Sequence, residues 1–400
     1  MKMSMRRIMS ALSAASSLAL STAIFATASH ADSSETSPLA GTALSLGADS
    51  TASVGTLTLS DAPYFEGANY DPAVPTIKAV LGYNSGERIT RPEDMVRYME
   101  ALAAFAPDRV KLMSYGQSWE NRKLIYLAIS SPKNIAALDD ISANMRKIAD
   151  PRTTSAADAA TLMADMPASI WLSYSVHGNE ISSTDAAMMT AYHLLASRGD
   201  TRVPKMMNDT VVFINPLQNP DGRARFVARF ETATGNMPSA EPLSAEHNEP
   251  WPNGRTNHYL FDMNRDWITL TQPEISGQVS ALQKHYPLVF IDLHEMGGNS
   301  SYYFAPEAVP FNPHLTPEQR TSLFWFGKNN AKWFDKIGRS YFTRDIFDAF
   351  YPGYGASWPA YYGAIAMTYE QSSSRGLAYR RLDGSEFTYR DTIKGHFTTS

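Results

Sequence analysis

The chain has 400 residues, 44% of them apolar and 19% charged, a globular composition that excludes wholesale disorder. Its 35 basic residues are outnumbered by 40 acidic ones, for a formal charge of -5, so no nucleic-acid-binding surface is expected. There is no cysteine, which excludes disulfides, thiolate metal sites, thiol nucleophiles and a lipid-modified N-terminal cysteine.

Lys2, Arg6 and Arg7 precede a mildly apolar stretch from Ile8 to Ala28, and Ser29-His30-Ala31 has small-x-small form. This is the pattern of a cleavable leader over residues 1–31. An exported protein is expected, periplasmic or secreted, with no stable membrane insertion after cleavage. Loss of the three basic residues takes the net charge from -5 to -8. Residues 32–69, rich in Ser, Thr, Ala and Gly without a period, read as a flexible linker. Residues 70–400 read as one folded domain.

Within that domain, Thr90-Arg91-Pro92-Glu93-Asp94 predicts a helix start, with helical apolar spacing from Met95 to Phe105. Strands are expected at Val110–Tyr115, Leu124–Ile129, Ile170–Val176, Thr210–Asn215, Leu288–Leu293 and Ala364–Tyr369. A helix is expected over Ser183–Ala196, with Ser182 or Ser183 as its N-cap, and another over Ser385–Phe397. No terminating signal follows that last helix, and a continuation into a longer protein is allowed for. The alternation predicts an α/β fold: a mixed, mostly parallel β-sheet flanked by helices.

His177 and Glu180 follow the third of these strands, His294 follows the fifth, and Glu370 ends the sixth. In open α/β sheets ligands bind at the C-terminal ends of the strands, so these groups are expected to converge there. Two His and one Glu can hold a metal ion and leave a position open for water. Asp292, two residues before His294, shares its strand face. It is a rival partner for a ligand His, although a cap or sheet-edge role is the preferred reading. His193, His247, His258, His285 and His314 lack partners at ligand spacing and read as structural.

The set resembles the M14 zinc carboxypeptidases. The resemblance rests on His177-x-x-Glu180, on His294, 114 residues after Glu180, and on Glu370, 76 residues beyond His294. Asn219-Pro220-Asp221-Gly222 and Asp262-x-Asn264-Arg265 add to it. It covers residues 80–400 and implies a zinc-carboxypeptidase-like (phosphorylase/hydrolase-like) catalytic domain with one Zn2+ per chain.

Residue by residue, the resemblance makes His177, Glu180 and His294 the zinc ligands and Glu370 the general base. Asp262 becomes the carboxylate behind the first ligand His. Asn264 and Arg265 become the grip on the free C-terminal carboxylate of a peptide substrate, against an alternative in which Arg265 pairs with Asp266 at the surface. The family also has an Arg that stabilises the oxyanion. Arg255 is chosen for it; it lies closer to Asn264 than its family counterpart does, a departure that leaves Arg223, Arg225 and Arg229 as rivals. Tyr351 matches the mobile tyrosine, with Tyr354 as alternative, and Trp358 is a candidate for the specificity pocket.

The expected activity is hydrolysis of C-terminal peptide bonds by zinc-activated water with Glu370 as base. Two other readings stay open. One is an amidase of the same fold acting on cell-wall peptides or acyl-amino acids. The other is an inactive peptide-binding module.

Overall fold

The computed structural model describes residues 63–400, so the expected leader and residues 32–62 of the expected linker lie outside the described residues. Seven runs rich in branched and aromatic side chains pair into one sheet. They are β1 (Val110–Gln117), β2 (Lys123–Ile129), β3 (Ala168–Tyr174), β4 (Thr210–Asn215), β5 (Val289–Met296), β6 (Tyr302–Tyr303) and β7 (Ile365–Ser372). Their spatial order is β1-β2-β4-β3-β5-β7-β6. The four strands β4, β3, β5 and β7 run parallel at the centre, and antiparallel strands flank them on both sides. The α/β expectation with a parallel centre is met.

Alternation along the strands divides the core between the two faces of the sheet. Leu172, Tyr174, Ile291, Leu293, Met367 and Tyr369 face one side, packed with the helices Ser182–Ala196 and Tyr389–Thr399. Trp171, Phe213, Phe290 and Ala366 face the other, with Ile275, Val279 and Leu282 of the helix Pro273–His285. On β5 and β7 this second face changes character toward the strand ends. Phe290 and Ala366 give way to Asp292, His294, Thr368 and Glu370. The site is built where this face meets the edge of the sheet.

Four local expectations are corrected. Strand β3 ends at Tyr174 rather than Val176, because Ser175 takes a left-handed φ of 57° and turns the chain into the next loop. The helix Ser182–Ala196 has no local side-chain cap; Ile181 occupies the N-cap position. Both serines are already inside the helix, and the carboxylate of Glu295 on β5 accepts from Ser182 N at 2.6 Å and from its Oγ. The last helix begins at Tyr389, not Ser385. A short hairpin, Ala378–Arg380 with Glu386–Thr388, precedes it, and Thr388 with Asp391 forms its capping box. Packing also starts earlier than Tyr70. Tyr64 is buried against Phe397, and the Phe65 ring lies 5.5 Å from that of His193.

Candidate active site

The turn after β3 carries His177-Gly178-Asn179-Glu180. Gly178 is required by close approach: a Cβ there would lie 2.1 Å from the backbone nitrogen of Arg223. With that turn pressed against the helix Pro220–Ala233, His177 and Glu180 point the same way. His177 Nδ1 lies 2.6 Å from Glu180 Oε1, and His294 Nδ1 lies 3.0 Å from Glu180 Oε2. One ligand atom from each of His177, Glu180 and His294 falls within 4.8 Å of the others, the spacing of donors around a single ion. The backbone N–H of Glu295 also donates to Glu180 Oε2 at 3.0 Å, which fixes the carboxylate's orientation.

Each imidazole is held from behind. His177 Nε2 is 3.1 Å from Asp262 Oδ1, and His294 Nε2 is 2.8 Å from Asp292 Oδ2. Such carboxylates set the tautomer that leaves the Nδ1 lone pair free for an ion held between His177, Glu180 and His294. Asp262 therefore stands where the resemblance places it. The preference for a cap or sheet-edge role at Asp292 is overturned. Asp292 is fully buried, and besides His294 it meets the Gln218 amide at 3.4 Å. Its even spacing from His294 was the available signal.

The charges are strongly coupled. Burial alone would raise the Glu180 carboxyl, but the two imidazoles outweigh it and hold Glu180 well below the usual carboxylate range. Burial likewise opposes charge on His294, yet Asp292 and Glu180 bring it well above the ordinary imidazole value. Glu370 goes the other way. Burial, reinforced by Glu180 and Asp292 and opposed by His294, pushes it up to about 8. Register explains the contact, since His294 on β5 lies directly opposite Glu370 on β7.

The triad forms one wall of a cleft of about 340 Å³. Arg255, Asn264, Arg265, Tyr354, Thr368 and Glu370 also line it. Arg255 clamps Asp262 Oδ2 through Nε at 3.1 Å and Nη2 at 2.9 Å, with Nη1 3.8 Å from Glu180 Oε1. Its rivals are engaged elsewhere. Arg223 is buried in an ion pair with Asp185, Arg225 binds the carbonyls of Asn253 and Asn257, and Arg229 binds that of Ala245. Asn264 accepts from Gly355 N at 2.8 Å, tying the tyrosine loop to the cleft. Arg265 stacks on Tyr354, with its guanidinium carbon 4.6 Å from the ring centre. Asp266 does not pair with it; its oxygens are taken by Thr269, Thr271 and Gln272.

Two aromatic expectations shift. Tyr354, not Tyr351, lines the cleft; Tyr351 is 45% exposed and meets Tyr354 edge-on at 5.0 Å. Trp358 is buried against Trp267 and Tyr362, outside the cleft lining. The histidines read as structural stay outside the site. His193 meets Tyr70, His247 two backbone carbonyls, His258 Glu120, and His285 both Tyr126 and Ser142. His314 is not among the cleft residues either.

The sequence profile of the zinc carboxypeptidase family Peptidase_M14 matches residues 95–357. The chain belongs to this family. The matched span holds His177, Glu180, His294, Asp262 and Asp292, and ends before Glu370. Among curated relatives, mouse carboxypeptidase Z is 24% identical over 179 residues, covering 44% of this chain and 21% of the relative. Mouse carboxypeptidase D is 24% identical over 247 residues, covering 60% of this chain and 16% of the relative. The match thus spans about a fifth of those proteins' length. Among solved structures, carboxypeptidase A from Helicoverpa armigera superposes with a TM-score of 0.52 at 18% identity, over 80% of this chain and 72% of that one. A metallo-carboxypeptidase from Burkholderia cenocepacia gives 0.52 at 15% identity, over 77% and 67%. At these identities the likeness shows the fold.

Proposed function

We propose that this M14 chain is a zinc-dependent carboxypeptidase that hydrolyses the C-terminal peptide bond of substrates with a free terminal carboxylate. One observation carries the reading: the triad, Glu370, Arg255 and the Asn264-Arg265 pair meet in a single cleft. Two imidazole nitrogens and a carboxylate, each imidazole backed by an acid, are a donor set suited to one zinc ion per chain. Bound there, zinc supplies a lowered pKa for coordinated water and Lewis-acid polarisation of the scissile carbonyl.

The chain's own residues do the rest. Glu370 takes a proton from the attacking water and returns it to the departing amine. Arg255, held toward the triad by Asp262, stabilises negative charge developing on the carbonyl oxygen. Arg265 and Asn264 receive the terminal carboxylate, where a guanidinium fork gives paired, charge-assisted bonds. Tyr354 packs on Arg265 and closes that end of the cleft, with Tyr351 behind it.

A panel of free-carboxyl peptides, their amidated counterparts and muropeptides, assayed with metal analysis of the purified protein, tests this. The expected result is near-stoichiometric zinc and cleavage confined to free C-termini. Indifference to amidation would remove the role given to Arg265 and favour the amidase. Absence of zinc, with no activity on adding it, would favour the binding module. Export is part of the same proposal, supported by the basic start, apolar stretch and small-x-small site of residues 1–31. N-terminal sequencing of protein recovered outside the cytoplasm, beginning at Asp32, is the expected outcome.

A further inference from the structure

Asn179, inside the metal-binding turn, has a side chain that serves neither the ion nor the helix behind it. Its Nδ2 donates to Glu249 Oε2 at 2.8 Å. The other oxygen of Glu249 accepts from Gly254 N at 2.6 Å, one residue before Arg255. Glu249 thus bridges the turn that carries two metal ligands and the loop that carries Arg255. The loop also packs closely against the helix Pro220–Ala233 and the Asn179 side chain. A Cβ on Gly254 would lie 2.6 Å from Gly222 O and 3.2 Å from the Asn179 Cβ. The far side of the loop is held separately. Asn219 Nδ2 donates to Arg255 O at 3.1 Å, and Arg225 binds the carbonyls of Asn253 and Asn257.

We infer that Asn179 and Glu249 form a clip that sets the position of Arg255 relative to the metal-binding turn, so that Glu249 is a positioning residue for oxyanion stabilisation. The inference rests on the role proposed above for Arg255. Its physical basis is that an Arg acting on a developing charge must be placed before the charge appears. Asp262 orients the guanidinium, but the backbone it hangs from is located by contacts to the loop. Loss of the clip lets that backbone drift, and displacement of a charge-stabilising group by about 1 Å costs on the order of 100-fold in rate. Arg265 takes no part in the clip, and the zinc content reports whether the turn carrying His177 and Glu180 keeps its place.

The test is a double-mutant cycle on the metal-loaded protein with a free-carboxyl peptide, comparing Glu249→Ala, Arg255→Ala and the pair. Glu249→Ala is expected to lower kcat roughly 10- to 100-fold with KM within about twofold and zinc content unchanged. In the Arg255→Ala background the same substitution is expected to add nothing, since the clip acts through Arg255. Glu249→Gln keeps an acceptor for Gly254 N, and its Nε2 can donate to Asn179 Oδ1 once that amide turns over, so it is expected to restore most of kcat. If Glu249→Ala costs as much with Arg255 absent as present, its role is general structure and the clip is overturned. An unchanged kcat in Glu249→Ala, beside a clear loss in Arg255→Ala, also overturns it. If Arg255→Ala itself keeps its kcat, the reading of Arg255 falls and the clip with it. Should Glu249→Ala fail to fold, Asn179→Ala severs the same bridge from the other side and is read by the same criteria.

Discussion

Asp292 Oδ2 lies 2.8 Å from His294 Nε2, two residues along the same strand. An acid and the ligand it supports therefore come from one short stretch of β5. The other ligand His takes its acid from Asp262, 85 residues away in sequence. Truncating Asp292 leaves His294 free to rotate or change tautomer. Asp292→Ala is expected to weaken zinc binding about 10- to 100-fold, measured by competition with a chromogenic chelator. Unchanged affinity would sink the supporting role.

Glu370 lies across from His294 in the sheet and lines the cleft without being one of the three ligands. Glu370→Gln keeps the shape and removes the proton acceptor. Turnover should fall by roughly 10²- to 10⁴-fold while zinc stays bound. Wild-type turnover in a zinc-loaded Glu370→Gln protein would show that the base lies elsewhere.

Arg265 is expected to act on binding. Charge-assisted hydrogen bonds to one carboxylate contribute about 1.5–3 kcal/mol, so Arg265→Ala should raise KM for free-carboxyl peptides by roughly 10- to 150-fold. Any residual cleavage of an amidated peptide should be unaffected. A parallel loss on both substrates would place Arg265 in support of the fold instead.

His285 predicts a pH dependence of stability. It is buried between Tyr126 and Ser142, and burial, aided by Lys284, lowers it to about 4 from the ordinary 6.5. The unfolded chain takes up this proton below about 6.5, whereas the folded one holds it off until about 4. The contribution of His285 is therefore fully present above 6.5 and is lost as pH falls toward 4. The whole gap is worth about 3 kcal/mol. Urea unfolding at a series of pH values should show His285→Gln to be less stable at neutral pH and flatter over this window. Parallel curves would remove His285 as the source.

His177, Glu180, His294 and Glu370 were legible in the sequence because each lies at or just past the end of an apolar run that reads as a strand, although β5 and β7 continue beyond those runs to Met296 and Ser372 and so include His294 and Glu370. A chain-order rule then places them at one edge. Details that depend on tertiary reach were not. The cap of the Ser182–Ala196 helix comes from Glu295, 113 residues beyond Ser182, and no local window contains it. Asp292 showed the right parity, but parity does not reveal which way an imidazole turns. The resemblance favoured Tyr351 over Tyr354 in an aromatic, glycine-rich loop. What separates them is packing: a Cβ on Gly353 would lie 2.3 Å from the Tyr351 ring, and Tyr354 is left to cover Arg265.

Strands β3, β5 and β7 are immediate neighbours; the turn after β3 holds His177 and Glu180, β5 holds His294, and β7 holds Glu370. Adjacent strands stand about 4.8 Å apart whatever their side chains. The sheet is therefore a ruler. The offset between His294 and Glu370 is set by main-chain hydrogen bonding between β5 and β7. Loops can lengthen, shorten or change composition without altering that offset. A one-residue slip of β7 against β5, by contrast, would turn Glu370 to the opposite face and bring Tyr369 or Gln371 beside His294. Tolerance to change should accordingly be close to nil in the pairing of these two strands.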